Sequence, residues 1–316
     1  KKATNASLEN ELQGINDLEN KMNTILSGTE IEEEKPKVAD NLGTVISETE
    51  NTDLVDNYGN KITVPAGFHI VTPSEDATVE YTYSGDEVPA VQDGIVIEDN
   101  DGNQFVWIPV GTIKNKEGDV NGTTTTIELA RYTFDITIDS TTEEISGGTG
   151  AIKEKITDGS GLVDERVEIN GGGYEYLEEL SSSTTYANTK AKDIEAFKTS
   201  AKSKGGYYLA RYEASYRDGT RPYSKPSTGT PRASADEALT EGMIWNFITQ
   251  KEAATVSKNM YTNNVFESDL MNSYSWDTAI VFIQTYSGNT DYSMQTSVNK
   301  DISNTGINGD QECNIN

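Results

Sequence analysis

The stretch from Gly205 to Ile283 constrains this chain most. It opens Gly-Gly-Tyr-Tyr-Leu-Ala-Arg-Tyr-Glu-Ala-Ser, passes through Trp245 and closes on Ser275-Trp276 and an apolar run to Ile283. Two of the three tryptophans and the clearest helix signals lie within it. Tyr207–Glu213 alternates as a strand, and Gly205-Gly206 stops the preceding apolar stripe Ala191, Ile194, Phe197, Ala201. Thr249 and Glu252 have capping-box spacing, with Ile248 and Ala253 as a hydrophobic staple, and predict a helix to about Met260. Ser275 is the expected cap of a last helix with the stripe Trp276, Ala279, Ile280, Ile283, ending near Gly288. Asp218–Thr240, with three prolines, reads as a polar loop, and Gly242–Ile248 as a buried strand or turn.

The first 27 residues carry a different pattern. Leu8, Leu12, Ile15, Leu18, Met22 and Ile25 recur at intervals of three and four, close to a heptad seam, and Gly28 can stop that helix. The seam could pack on its own domain. The segment that follows favours a partner helix or subunit instead, since Gly28–Asn57 holds nine acidic residues against Lys35 and Lys37 and is expected to be extended or mobile.

Residues 58–111 read as β structure. Asp56–Asn60 is a turn, Lys61–Pro65 and Phe68–Val71 are short strands, and Gly94–Asp99 and Phe105–Val110 flank a tight turn at Asp101-Gly102. Residues 112–172 are rich in Thr, Gly and Asp and read as a spacer. Within them Tyr132–Ile138 alternates as a solvent-facing antiparallel strand. The expected organisation is therefore a helix over 1–27, a linker over 28–57, a β-rich region over 58–111 and an α+β body over 112–316.

Composition narrows the function. With 25 basic against 52 acidic residues the net charge is −27, which disfavours nucleic acid and anionic membranes as partners. The single cysteine, Cys313, excludes an internal disulfide, and no 18-residue apolar run exists. A Ser-His-Asp arrangement would have to use His69, the one histidine, and nothing recommends it. No histidine accompanies Cys313 in the second half to activate its thiol. Asp99–Asn103 is reminiscent of a calcium loop without its 1-3-5 spacing or terminal Glu, and a hairpin is the plainer reading. Glu143-Glu144 and Glu178-Glu179 suit solvated faces better than a glycosidase pair. Gly171–Gly173 has no helix cap behind it and makes a poor phosphate loop. Tyr207, Tyr208, Tyr212, Trp245, Trp276 and Tyr286 could line a binding face, although core positions suit the two tryptophans better.

Phe105–Gly111, Gly206–Ala214, Trp245 and Ile248–Ala253, in that order, resemble the formylglycine-generating-enzyme-like family, over roughly residues 94–316. The resemblance implies a C-type-lectin-related fold with an antiparallel sheet. Copper chemistry in that family needs two cysteines, and related iron enzymes need several histidines, so a metal-dependent oxidase of the formylglycine-generating type is the least expected reading and no cofactor is expected. Family members usually continue past a segment like Gly309–Ile315 into further strands rich in Trp, Gly and Arg. Those strands are expected to be missing here or replaced by a different closure.

The order of seam, acidic linker and Asp56–Val71 is similar to pilin-like surface proteins of Gram-positive bacteria. That resemblance implies an extracellular, non-enzymatic filament subunit that self-associates through residues 1–27, with a membrane half of the helix outside this sequence. The alternative is a surface module of the same fold for a carbohydrate or host protein, with no filament role.

Overall fold

The computed structural model describes residues 12–16, 22, 35–72, 89–139, 141, 145–156, 194–248 and 250–287. Two units divide the chain, Lys1–Lys35 and Pro36–Asn316, and the architecture below belongs to the second. Its strands are β1 (Thr52–Val55), β2 (Lys61–Val64), β3 (Phe68–Ile70), β4 (Val96–Asp99), β5 (Gln104–Pro109), β6 (Gly111–Lys114), β7 (Thr124–Ile127), β8 (Arg131–Ile138) and β9 (Ile145–Ile156). After α1 (Ile194–Lys204) come β10 (Gly206–Ala210), β11 (Ser215–Tyr216), β12 (Pro222–Tyr223), α2 (Gln250–Asn259) and α3 (Ser273–Ser287). The fold is α+β, built on antiparallel strands.

A four-stranded sheet, ordered β10-β5-β4-β3, sits at its centre. The pleat sends Phe105 and Trp107 to one face of β5 and Val106 and Ile108 to the other. On the first face Phe68, Phe105, Tyr261 and Phe266 meet with ring centroids 5.2–6.0 Å apart. Trp107 lies opposite Tyr208 in the register, their rings 5.0 Å apart and edge-on. Gly206 makes this possible, because a Cβ there would overlap the Trp107 indole and the Ile108 carbonyl. On the second face Tyr207 stacks edge-on against Phe197 of α1 and donates its hydroxyl to Ser275 O of α3 at 2.5 Å. The main core joins this sheet to Leu54, Ile62, Ile113, Ile127, Ala279, Val281 and Phe282. Each Leu, Ile, Val or Phe among them contributes about 1.5–3 kcal/mol on burial, so this cluster outweighs any single turn.

The acidic stretch expected to be extended becomes part of the body from Pro36 onward. A 3-10 turn at Val38–Asp40 buries Val38 completely, and Leu42 and Ile46 pack against the core. Residues 36–47 thus form a strap, touching β1 through Lys37↔Val55 and β3 through Leu42↔Ile70, both parallel. The four-residue spacing of Val38, Leu42 and Ile46 was hidden among charges that face solvent.

Three further expectations are corrected. The spacer after residue 111 contains β6, β7 and the long β8–β9 hairpin, because threonine serves a strand as well as it serves a loop. Tyr132 and Phe134 of β8 pack on the core instead of facing solvent. The α3 cap is Asn272, not Ser275: Asn272 Oδ1 accepts the Ser275 N–H at 3.0 Å, and Ser275 Oγ accepts the Asn272 N–H at 3.1 Å. Both sides of α3 are buried from Tyr274 to Gln284, while Trp276 and Ile283 are only half-buried.

Other expectations stand. Trp245 is buried with Ile248, Ala253 and Val256. The 217–248 stretch, poor in regular structure, is gathered by Arg232, whose guanidinium donates to the carbonyls of Glu237, Asn246 and Phe247. Thr249, Ala191 and Gly288 lie outside the described residues.

Candidate functional site

Residues 12–16 and 22 are helical. Leu12 and Ile15, three residues apart, share a face of the 12–16 segment, and Met22 follows seven residues on in the sequence. They are 59%, 64% and 57% exposed, so the stripe is uncovered. Gly14 lies beside it, and a Cβ there would meet nothing within 4 Å. Leu8, Leu18 and Ile25, the other seam positions, lie outside the described residues.

The second concentration of functional groups is at the polar end of the central sheet, and it grows from a repeated turn. Asp-Asn-X-Gly-Asn occurs at 56–60, joining β1 to β2, and again at 99–103, joining β4 to β5. Asp56 Oδ1 accepts the N–H groups of Tyr58 and Asn60 at 2.9 and 2.8 Å, and Asp99 Oδ1 those of Asp101 and Asn103, both at 2.9 Å. The second oxygen of each Asp takes the amide of the closing Asn at 2.9 Å. Gly59 and Gly102 have φ of +82° and +81°, the left-handed conformation that lets each turn close.

Each closing Asn then holds a distant segment. Asn60 accepts the Lys114 N–H at 2.7 Å and donates to Lys114 O at 2.8 Å. Asn103 accepts the Ser224 N–H at 2.9 Å. Both turns were legible as turns, and the identical strings were there to be matched. Nothing in the sequence named Lys114 or Ser224.

Around the second turn a row of polar groups crosses the sheet. Arg211 Nη1 donates to Gln104 Oε1 at 2.6 Å, Gln104 Nε2 donates to Glu98 Oε2 at 2.6 Å, and His69 Nε2 stands 3.9 Å from Glu98 Oε1. Beyond the turn Arg217 donates to Asp101 at 2.7 Å and lies 4.9 Å over the Tyr223 ring, which Lys225 covers at 3.5 Å. Tyr261 donates its hydroxyl to Asp99 Oδ2 at 2.6 Å. Burial first, then the Asp99 charge, pushes that phenol far above its ordinary range.

Chemically this is a tightening network. Asp99 already takes four donors, which a cation would have to displace. Among the described residues no group of three or more His, Cys, Asp or Glu could hold a metal ion. His69 belongs to a cross-strand pair with Glu98. Of the aromatics expected at a binding face, Trp245 is core, Tyr207 and Tyr208 pack on the central sheet, and Tyr286 donates to Asn115 at 2.9 Å. Cys313, Glu143-Glu144, Glu178-Glu179 and Gly171–Gly173 lie outside the described residues. No described helix is long and apolar enough to cross a membrane.

No protein-family model matches the chain, and no curated protein or solved structure matches it either.

Proposed function

We propose that this chain is a non-enzymatic, pilin-like subunit of an extracellular filament on a Gram-positive surface. It assembles through residues 1–27 and carries a lectin-related body outward. The observation that supports this reading best is the uncovered stripe of Leu12, Ile15 and Met22 in a unit separate from the body. Large exposed apolar side chains at seam spacing favour a second helix against them. An acidic body suits a subunit that must stay soluble until its helices meet.

The test is Leu12→Asp with Ile15→Asp. Assembly, read by sedimentation and negative-stain microscopy, is expected to be lost, while the thermal transition of the body stays within a few degrees of the parent. A variant that still assembles sinks the seam. Antibody labelling of source cells against residues 58–316 then separates the settings. Label along surface fibres supports a structural subunit, and label inside the cell ends the surface reading.

The row Arg211–Gln104–Glu98–His69 favours the second reading, a surface module for a carbohydrate or host protein. Saturable binding that survives removal of residues 1–27 would favour it over the filament.

A further inference from the structure

The strap of residues 36–47 begins where the chain leaves its N-terminal unit, so any tension between that unit and the body enters through it. Its attachment differs in kind from that of the central strands. The central strands are joined by continuous ladders, β10 to β5 over five residue pairs and β4 to β5 over three. The strap meets β1 and β3 at one isolated bridge each. Its main-chain bonds to neighbouring elements are separated along the strap. Val55 N–H donates to Pro36 O at 3.0 Å, Gly43 N–H to Ile70 O at 2.8 Å, and Gly67 N–H to Ser47 O at 2.8 Å. Between them Val38, Leu42 and Ile46 are the apolar anchors.

Bonds spaced in this way are loaded one after another when the chain is pulled from Pro36. A ladder shares its load among neighbours, and regions held by few contacts open below the global transition. Beneath the strap lie Leu54 of β1 and Ile70 of β3, both fully buried, and the strand edges it covers.

We propose that residues 36–47 are a peelable strap that yields first under tension, lengthening the tether before the sheet opens and uncovering the edges of β1 and β3. Twelve residues drawn out straight span at most about 40 Å, and the tether gains that length less the distance the strap already covers. On relaxation the strap returns, because its partners keep their places in the folded body. The biological setting of this inference rests on the filament reading, but its test does not. Assembly is scored on filaments and strap release on single molecules, so either can fail alone.

The experiment pulls the full chain in optical tweezers between click-chemistry handles at residues 30 and 120, the latter on the exposed Val120. The expected trace has a reversible first step shorter than about 40 Å, the extended length less the span the strap already covers, followed at higher force by opening of the body. Val38→Ala should lower the force of the first step and leave the second unchanged. Leu42→Cys with Ile70→Cys, in a Cys313→Ser background, should confine the first step to residues 36–41, at most about 20 Å, when oxidised and restore its full length when reduced. That internal comparison keeps the test decisive even if the body of the stapled variant is weakened. Two results overturn the proposal: a single event in which strap and sheet give way together, or a first step of unchanged length in the oxidised staple.

Discussion

Asn60 closes its own turn and also clasps Lys114, where one side chain stands in for a strand. Removing it strips Asp56 of an amide donor and leaves the Lys114 N–H and C=O without their partner. Orphaning a buried polar group costs about 1–3 kcal/mol, so Asn60→Ala should lower stability by that amount in urea unfolding. Asn57→Ala, at an exposed position of the same turn, should cost no more than about 0.5 kcal/mol. Equal losses would mean that the turn matters and the clasp does not. The sequence carried half of this. Asp-Asn-X-Gly-Asn declares a turn because its chemistry is local, whereas the clasped residue is set by packing and leaves no trace in spacing.

Among the elements, α3 shows most clearly where periodicity stops being informative. A stripe at Trp276, Ala279, Ile280 and Ile283 predicts one apolar face, yet the helix also buries Asp277, Thr278 and Gln284. Asp277 and Gln284 are matched to the β8–β9 hairpin, and Thr278 to Ala130 just before it. Asp277 accepts Arg131 Nε at 2.6 Å and the Tyr132 N–H at 2.9 Å. Gln284 donates to Gly150 O at 2.8 Å and accepts the Ile152 N–H at 3.1 Å. The Arg131–Asp277 pair is 8% exposed on both sides, so losing one charge leaves the other buried. Asp277→Ala should cost about 3–5 kcal/mol. Asp277→Leu combined with Arg131→Met should cost clearly less than the sum of the two single changes in a double-mutant cycle. Additive losses would show the pair to be uncoupled. A threonine-rich stretch reads as a spacer only while the helix that covers it is unknown.

For the molecule as a whole, the tyrosines report on the body better than the carboxylates do. Burial, helped by Glu128 and Asp277, pushes the Tyr132 phenol up to about 12. Tyr207 and Tyr208 are likewise held well above the ordinary phenol value, by burial first in both cases. In the unfolded chain these phenols ionise near 10. The folded state therefore holds more protons above pH 10, and its stability is intact below that value and falls as pH rises through about 12. Ultraviolet titration should show part of the sixteen tyrosines ionising reversibly near pH 10, and the remainder only with cooperative unfolding. Ionisation of all of them in one transition near 10 would contradict the packing.

The strap also bears on how the chain is made. Residues 36–47 leave the ribosome before either strand they bind. The anchor of Leu42 is Ile70, about thirty residues downstream, and at about 5–20 residues per second that interval lasts seconds. Hairpins close in microseconds, so β1–β2 is formed long before β3 arrives. Val38, Leu42 and Ile46 must wait exposed through that interval, and the charged residues beside them, Lys35, Lys37, Asp40, Glu48 and Glu50, are the solubilising cover the strap carries with it.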